Sequence, residues 1–199
     1  MKNRKAQAAI EFLSTYGWAL LVIALILVAL GWLGVFSPQN AISQFCQFSI
    51  NSFECNDALV AWSATTPKLA SLQVTNNFGR RVVVCGVHCS AAQPSPETGF
   101  PPDLVAPYLS IYANTCQPGI THTTADGTLA TVMMEPGERA AISTQAFMPS
   151  CFDETGALRP PQVGSKYTGK LYVFYSYEGE TTGKSRMVVG NLVTTVQPS

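Results

Sequence analysis

The segment KLYVFYSYE (170–178) is the first indication of the fold of the C-terminal part of the chain. It is apolar at nearly every position, so both faces of the strand are apolar, and other parts of the protein must cover both faces. The segment therefore predicts a central strand of a β-sheet. Other short β-branched or aromatic runs predict further strands: ALVAWS (58–63), LASLQVTN (69–76), RRVVVCGVH (80–88), TLATVMM (128–134), ERAAISTQ (138–145) and SRMVVGNLVTTV (185–196).

Turn-forming residues separate these runs and indicate how the strands connect. Glu-Pro-Gly-Glu (135–138) places proline and glycine at the second and third turn positions, as a type II turn prefers. This pattern predicts a hairpin over 128–145. Several short strands with hairpin signals, in a domain of this size, predict an antiparallel, Ig-like β-sandwich.

The segment 90–107, SAAQPSPETGFPPDLVAP, has five prolines and no alternation of apolar and polar residues. This composition predicts an exposed loop. Such a loop is either a contact surface or an insertion without a binding role.

Length and charge limit the classes of function. The chain has 199 residues, and subtracting an N-terminal apolar segment leaves roughly 160 residues for one globular domain. Only 12% of the residues are charged and the formal net charge is zero, so no basic surface for nucleic acid is indicated.

Six cysteines are scattered along the chain rather than grouped in paired knuckles. This usage predicts a disulfide framework formed in an oxidising compartment. The spacing selects a single pair, Cys46 with Cys55, because the loop between them is short. The other candidate disulfide cysteines are Cys85, Cys89, Cys116 and Cys151.

One stretch of the chain contains residue types that bind zinc. Cys85, His88 and Cys89 lie within five residues, and His122 could supply a fourth ligand. The spacing is not that of a zinc knuckle, and thiols are oxidised in the compartment that the cysteines indicate. Disulfides to Cys116 and Cys151 are therefore preferred, and no metal is predicted.

No pattern of catalytic residues is present, so neither an enzyme nor a cofactor is predicted. Two histidines and many serines occur, but without a GxSxG elbow. Four acidic residues lie in turn-like segments without an EF-hand pattern and are expected to be solvated. They are Asp103, Asp126, Asp153 and Glu154.

The chain begins with MKNRK and continues with AQAAIEFLSTYGWALLVIALILVALGWLGVF (6–36). From Phe12 to Phe36 this run is long enough to cross a hydrocarbon core of about 30 Å as a helix. The basic start favours the cytoplasm, which places the cysteines outside the cell. Pro38 is expected to end the helix near Ser37. A secretory signal peptide is the alternative, but its apolar run would be shorter and would not begin with Glu11.

Glu11 is unusual because burying a carboxylate in apolar surroundings is energetically unfavourable unless a cation forms an ion pair with it. Cleavage between Ala6 and Gln7 would create such a cation, the α-amino group of Gln7, one helical turn away. That group could pair with Glu11 of a neighbouring subunit and set the stagger between their helices. Alternatively, Glu11 lies at headgroup level and is solvated.

The stretch KAQAAIEFLSTYGWALLVI (5–23) resembles the class III signal peptide of archaeal type IV pilins. In that family a prepilin peptidase removes a short basic leader before a glutamine, and a glutamate follows four residues later. Gln7 and Glu11 occupy these positions, and the aromatic-Gly-Trp step at 16–18 also recurs in archaeal members. The residue before the cut is more often glycine than the alanine found here, Ala6.

The resemblance implies an α+β fold, in which a long N-terminal hydrophobic helix precedes an antiparallel β-sandwich (Ig-like) domain. The expected segments are a cleaved leader (1–6), an assembly or transmembrane helix (7–37) and an extracellular disulfide-bonded domain (38–199). Diffuse similarity to the β-domains of archaeal pilins extends over LQVTNNFGRRVVV, MEPGERAAIS and KLYVFYSYE.

The implied function is that of a pilin, which polymerises through its N-terminal helix into an extracellular filament for adhesion or cell contact. The expected partners are other copies of the chain, a prepilin peptidase, an assembly ATPase and a membrane platform protein. Before assembly, the subunit is expected in the cytoplasmic membrane with its N-terminus inside. Two alternatives remain, a minor pilin that primes or tips a filament and a bitopic membrane-anchored binding or redox module.

Overall fold

A computed structural model describes residues 4–33, 43–63, 66–105, 108–109, 111, 116–158, 163–180 and 185–198, with side chains from residue 16 in the N-terminal helix. The chain divides into two compact units, Met1–Ser43 and Gln44–Ser199. The first unit contains the N-terminal helix, and the second contains the sheets.

The described helices are α1 (Arg4–Trp32) and α2 (Pro102–Val105). The described strands are β1 (Phe45–Phe48), β2 (Phe53–Ser63), β3 (Thr66–Asn76), β4 (Val82–Ser90), β5 (Thr121–Thr124), β6 (Gly127–Ala130), β7 (Val132–Met134), β8 (Arg139–Ser143), β9 (Cys151–Phe152), β10 (Lys166–Tyr177), β11 (Arg186–Thr195) and β12 (Gln197–Pro198).

These strands form two main sheets and one small hairpin. The large sheet has the order β1-β11-β10-β4-β7, with β9 also paired to β4. The small sheet has the order β12-β2-β3-β8, and β5 pairs with β6. All pairings are antiparallel except β4 with β9 and β2 with β12.

Strand β10 lies at the centre of the large sheet, between β11 and β4. Its residues 171–176 are all buried, which confirms the prediction of a central strand from KLYVFYSYE. Buried apolar side chains of both main sheets belong to one core cluster, for example Leu72 and Val74 from β3 with Leu171 and Phe174 from β10. The two sheets therefore form a sandwich around a shared core.

The predicted α+β class, built on a long hydrophobic helix, is wrong. The fold is β-rich, and none of the α1 side chains that the structure describes (16–32) belongs to the core cluster. Within the described residues, no helix is sufficiently long and apolar to span a membrane, so the predicted transmembrane helix is not found.

The predicted hairpin over 128–145 is also wrong, although its turn forms. Gly137 has a φ of 78°, and the amide of Glu138 donates to the carbonyl of Glu135 at 3.0 Å. However, β7 pairs with β4 in the large sheet, whereas β8 pairs with β3 in the small sheet. The turn therefore carries the chain from one sheet to the other, because each strand buries its apolar side in a different layer.

The segment 90–107 is not the simple exposed loop that its prolines predict. It contains α2, whose Leu104 is fully buried, and the side chain of Asp103 is only 1% exposed. The segment packs onto β4, because β4 is buried at all its positions and needs a cover on its outer side. Ser37 and Pro38, where the sequence predicts the end of the N-terminal helix, lie outside the described residues; the described helix α1 is Arg4–Trp32.

Candidate functional sites

The first candidate site is the apolar surface of α1. Leu20, Leu21, Val22 and Ile23 point in four directions, since successive residues of a helix are about 100° apart. Their exposed fractions are 65%, 50%, 37% and 53%. Trp32, in the last turn, is 93% exposed. The described part of α1 is therefore apolar and uncovered on every side.

The predicted processing and assembly residues also belong to α1. Ala6, Gln7 and Glu11 are helical, but their side chains lie outside the part of the chain that the structure describes. The predicted cleavage after Ala6 and the pairing of Gln7 with Glu11 remain predictions.

The cysteines of the second unit form three disulfides: Cys46–Cys55, Cys85–Cys116 and Cys89–Cys151. The first is the pair that the short spacing selected. Cys85 and Cys89 each bond to a distant cysteine, so neither offers a thiolate to a metal ion. Among the described residues, no group of three or more His, Cys, Asp or Glu side chains is placed to hold a metal.

A buried polar cluster lies between β4 and α2. His88 Nε2 is 2.5 Å from Asp103 Oδ2, and both side chains are 1% exposed. Ser90 Oγ donates to the other carboxylate oxygen, Asp103 Oδ1, at 3.1 Å. The imidazole ring stacks on Phe152 and contacts Tyr108 at centroid distances of 5.2 and 5.0 Å.

This cluster contains serine, histidine and aspartate, but it is not arranged for catalysis. In a catalytic triad the serine bonds to the histidine, and the histidine bonds to the carboxylate. Here Asp103 is in the middle and accepts from both Ser90 and His88. The arrangement instead ties α2 to β4, which is a structural role for Ser90 and Asp103, the two members that the sequence placed in a loop.

Asp126 is the second acidic residue that the sequence predicted to be solvated. It is only 8% exposed, and its carboxylate accepts from Tyr108 Oη at 2.8 Å and Ser150 Oγ at 2.5 Å. Buried carboxylates need such donors, since an unpaired one is strongly unfavourable. The expectation of solvation is wrong for Asp103 and Asp126, because their partners lie far apart in the sequence.

A charged and aromatic cluster lies where the turns after β3, β7 and β10 meet. The guanidinium of Arg80 is 3.4 Å from the ring centroid of Tyr177, and that of Arg186 is 4.8 Å from it. Arg81 pairs with Glu135 and Glu178, and these carboxylates raise the pKa of Arg81. This cluster joins turns that are far apart in the chain, so no local sequence pattern predicts it.

His122 in β5 is 4% exposed, and its burial lowers the pKa of the imidazole below its usual value. The unfolded chain therefore takes up a proton near pH 6.5 while the folded chain does not. We expect the free energy of unfolding to fall below about pH 6.5, by at most about 1.4 kcal/mol per pH unit from this group.

Urea unfolding of the wild type and His122→Gln between pH 7.5 and 5 would measure this contribution. The variant should lose less stability on acidification than the wild type. Identical pH dependences in the two proteins would contradict the assignment to His122.

Two open clefts flank the Cys46–Cys55 disulfide. The larger, of about 670 Å³, is lined by residues 46–55 and Asn77. The smaller, of about 180 Å³, is lined by residues 44–46, 55–58 and Val193. Both half-cystines line both clefts, and both are partly exposed.

The similarity to a known family rests on the N-terminal stretch 5–23 and more diffusely on three strand segments. The disulfides and the sandwich are compatible with many extracellular proteins. The pilin resemblance therefore remains a prediction from residues, since no family model, curated protein or solved structure matches this chain.

Proposed function

We propose that the chain is a pilin, the structural subunit of an extracellular filament that polymerises through α1. The observation that carries the proposal is the apolar surface of α1, which is exposed on every side between residues 16 and 32. Apolar patches of this kind mark interaction sites in soluble proteins. A helix that is apolar all round is stable only when other apolar surface surrounds it.

Copies of the same helix are the best partner for this surface. A groove on a different protein would cover one side of α1 and leave the others in water. A bundle in which each helix has neighbours in several directions covers every side, and helical symmetry provides it by repeating one contact. Burying apolar surface contributes about 25 cal/mol per Å², so a fully surrounded α1 would stabilise the filament strongly.

The second unit is proposed to form the outer wall of the filament. Its three disulfides support an extracellular location, because such bonds form and persist in oxidising compartments. The proposal includes cleavage between Ala6 and Gln7 by a prepilin peptidase, with an assembly ATPase and a membrane platform protein as further partners. Pairing of the Gln7 amine with Glu11 of a neighbour would fix the stagger of the helices.

The proposal is tested by charging one side of α1. Ile23 and Leu27 are one turn apart and each is 53% exposed. Replacing both by glutamate should reduce filaments at least about tenfold at equal subunit levels, since buried unpaired carboxylates cost several kcal/mol. Electron microscopy of shed filaments and immunoblots of cell-bound subunit would measure the effect.

Val163→Glu is the matched control, because Val163 is similarly exposed, at 55%, but lies in the second unit. This variant should assemble normally. Non-reducing peptide maps should find all three disulfides in every variant, and mass spectrometry of assembled subunits should find Gln7 at the N-terminus. Normal filaments from the doubly charged variant would overturn the proposal.

A further inference from the structure

We propose that the Cys46–Cys55 disulfide is a site of reversible thiol–disulfide exchange with an uncharged dithiol, while the other two disulfides stay closed. The inference rests on the accessibility, surroundings and position of this one bond. It goes beyond the filament function and does not depend on it.

Accessibility separates this disulfide from the other two. Cys46 and Cys55 are partly exposed. Cys85, Cys89 and Cys151 are 0% exposed, and Cys116 is 5% exposed. Exchange begins when a thiolate attacks a disulfide sulfur, so a bond that a thiolate cannot reach does not react. In the folded protein only Cys46–Cys55 meets this condition.

The two clefts give a reductant room beside the bond. The larger cleft, of about 670 Å³, has the size of a small-molecule site. The smaller cleft is lined by the same two half-cystines and by Val193. Exchange requires one sulfur to be attacked while the other leaves, so exposure of both half-cystines allows either one to be the target.

Charge around the bond selects the kind of thiol. Glu54 and Asp57 line the clefts on either side of Cys55, and no basic side chain is among the described residues of either lining. Asn77 Nδ2 donates to Glu54 at 3.3 Å, and Ser71 Oγ donates to Asp57 at 2.9 Å. Neither partner carries charge, so both carboxylates repel an anionic thiol such as glutathione more than an uncharged one.

The position of the bond allows it to open without unfolding the protein. Cys46 lies in β1 of the large sheet and Cys55 in β2 of the small sheet, so the bond joins edge regions of the two layers. After reduction, β1 keeps its antiparallel pairing with β11 over four residue pairs, including Phe48 opposite Gly190. A side chain at Gly190 would clash with the Phe48 ring, so the ring packs directly on that strand.

The reaction balances with a dithiol as the only co-reactant. One thiolate of the reagent attacks Sγ of Cys55 or Cys46, the bond between the two sulfurs breaks, and the other cysteine leaves as a thiolate. The second thiolate of the reagent then attacks the mixed disulfide and releases the second cysteine. The dithiol is oxidised to a disulfide, and the protein gains two electrons and two protons.

The test treats the oxidised full chain with dithiothreitol under native conditions, followed by iodoacetamide and peptide mapping. We expect two labels per chain, on Cys46 and Cys55, with the circular dichroism of the sheets unchanged. Hydrogen exchange should quicken in β1 and the loop at 49–52, where the link is lost. Equal labelling of the other four cysteines, or no labelling at all, would overturn the proposal.

The choice of thiol is tested with two monothiols, 2-mercaptoethanol and glutathione, at equal thiolate concentration and low ionic strength. Glutathione should attack at least about threefold more slowly, because it is anionic. The double variant Glu54→Gln, Asp57→Asn should reduce the difference between the two rates of attack. Its reaction with 2-mercaptoethanol should be nearly as fast as that of the wild type. An unchanged difference between the two rates would show that the charges of Glu54 and Asp57 do not determine which thiol reacts, and would overturn that part of the proposal.

Discussion

Replacing Cys89 and Cys151 together by alanine is expected to lower the free energy of unfolding by about 4 kcal/mol. These residues are 62 positions apart, and closing so long a loop removes much entropy from the unfolded chain. Both sulfurs are fully buried in the core, so their removal also leaves empty space. The melting temperature should fall by about 10 °C.

Cys46→Ala with Cys55→Ala is the matched control for this prediction. Its loop spans only 9 positions, which predicts a smaller loss, about 3 kcal/mol or less. Urea unfolding followed by tryptophan fluorescence would compare the two double variants. A larger loss in the control would contradict the ranking by loop length and burial.

His88→Ala is expected to cost about 3 to 5 kcal/mol. The substitution removes a donor from the buried carboxylate of Asp103 and leaves a cavity between Phe152 and Tyr108. Helix α2 should lose its attachment to β4, so proteolysis within residues 91–105 should quicken. Unfolding curves and limited proteolysis would measure the two effects.

His88→Gln separates the loss of the hydrogen bond from the loss of the ring. Glutamine carries an amide N–H at about the reach of Nε2, so it can still donate to Asp103. It should restore part of the stability and most of the protection of α2. Equal proteolysis in the glutamine and alanine variants would show that ring packing, rather than the bond to Asp103, holds α2.

Much of the sandwich could be predicted from the sequence. The short segments whose residues are typical of a covered strand or a tight turn do form a buried strand and a turn in the fold. KLYVFYSYE is apolar on both faces and forms the covered strand β10. The Pro136-Gly137 turn forms because glycine accepts the positive φ that the third turn position requires. The Cys46–Cys55 pair could be predicted because the two cysteines are only 9 positions apart, so the chain between them keeps them close whatever the rest of the fold is.

The remaining features depend on partners that local sequence does not identify. Turn chemistry reverses the chain at 135–138, but the sheet that each flanking strand joins depends on β3 and β4. Local sequence places Asp103 and Asp126 in loops, and only the fold brings His88, Tyr108 and Ser150 beside them. The fold class was wrong because the length of an apolar run does not determine which elements build the core.

The pairing of β1 with β11 joins the first strand of the second unit to its last long strand. Phe45 lies opposite Val193, so β1 leaves the ribosome long before its neighbour exists. Contacts so distant in sequence slow folding. The large sheet cannot be completed before β11 has been synthesised, and a chain interrupted before β11 would expose the edge of β10 to other molecules. Oxidation of Cys46 and Cys55 does not require β11, because the two cysteines are 9 positions apart. This loop can therefore close while most of the unit is still being synthesised.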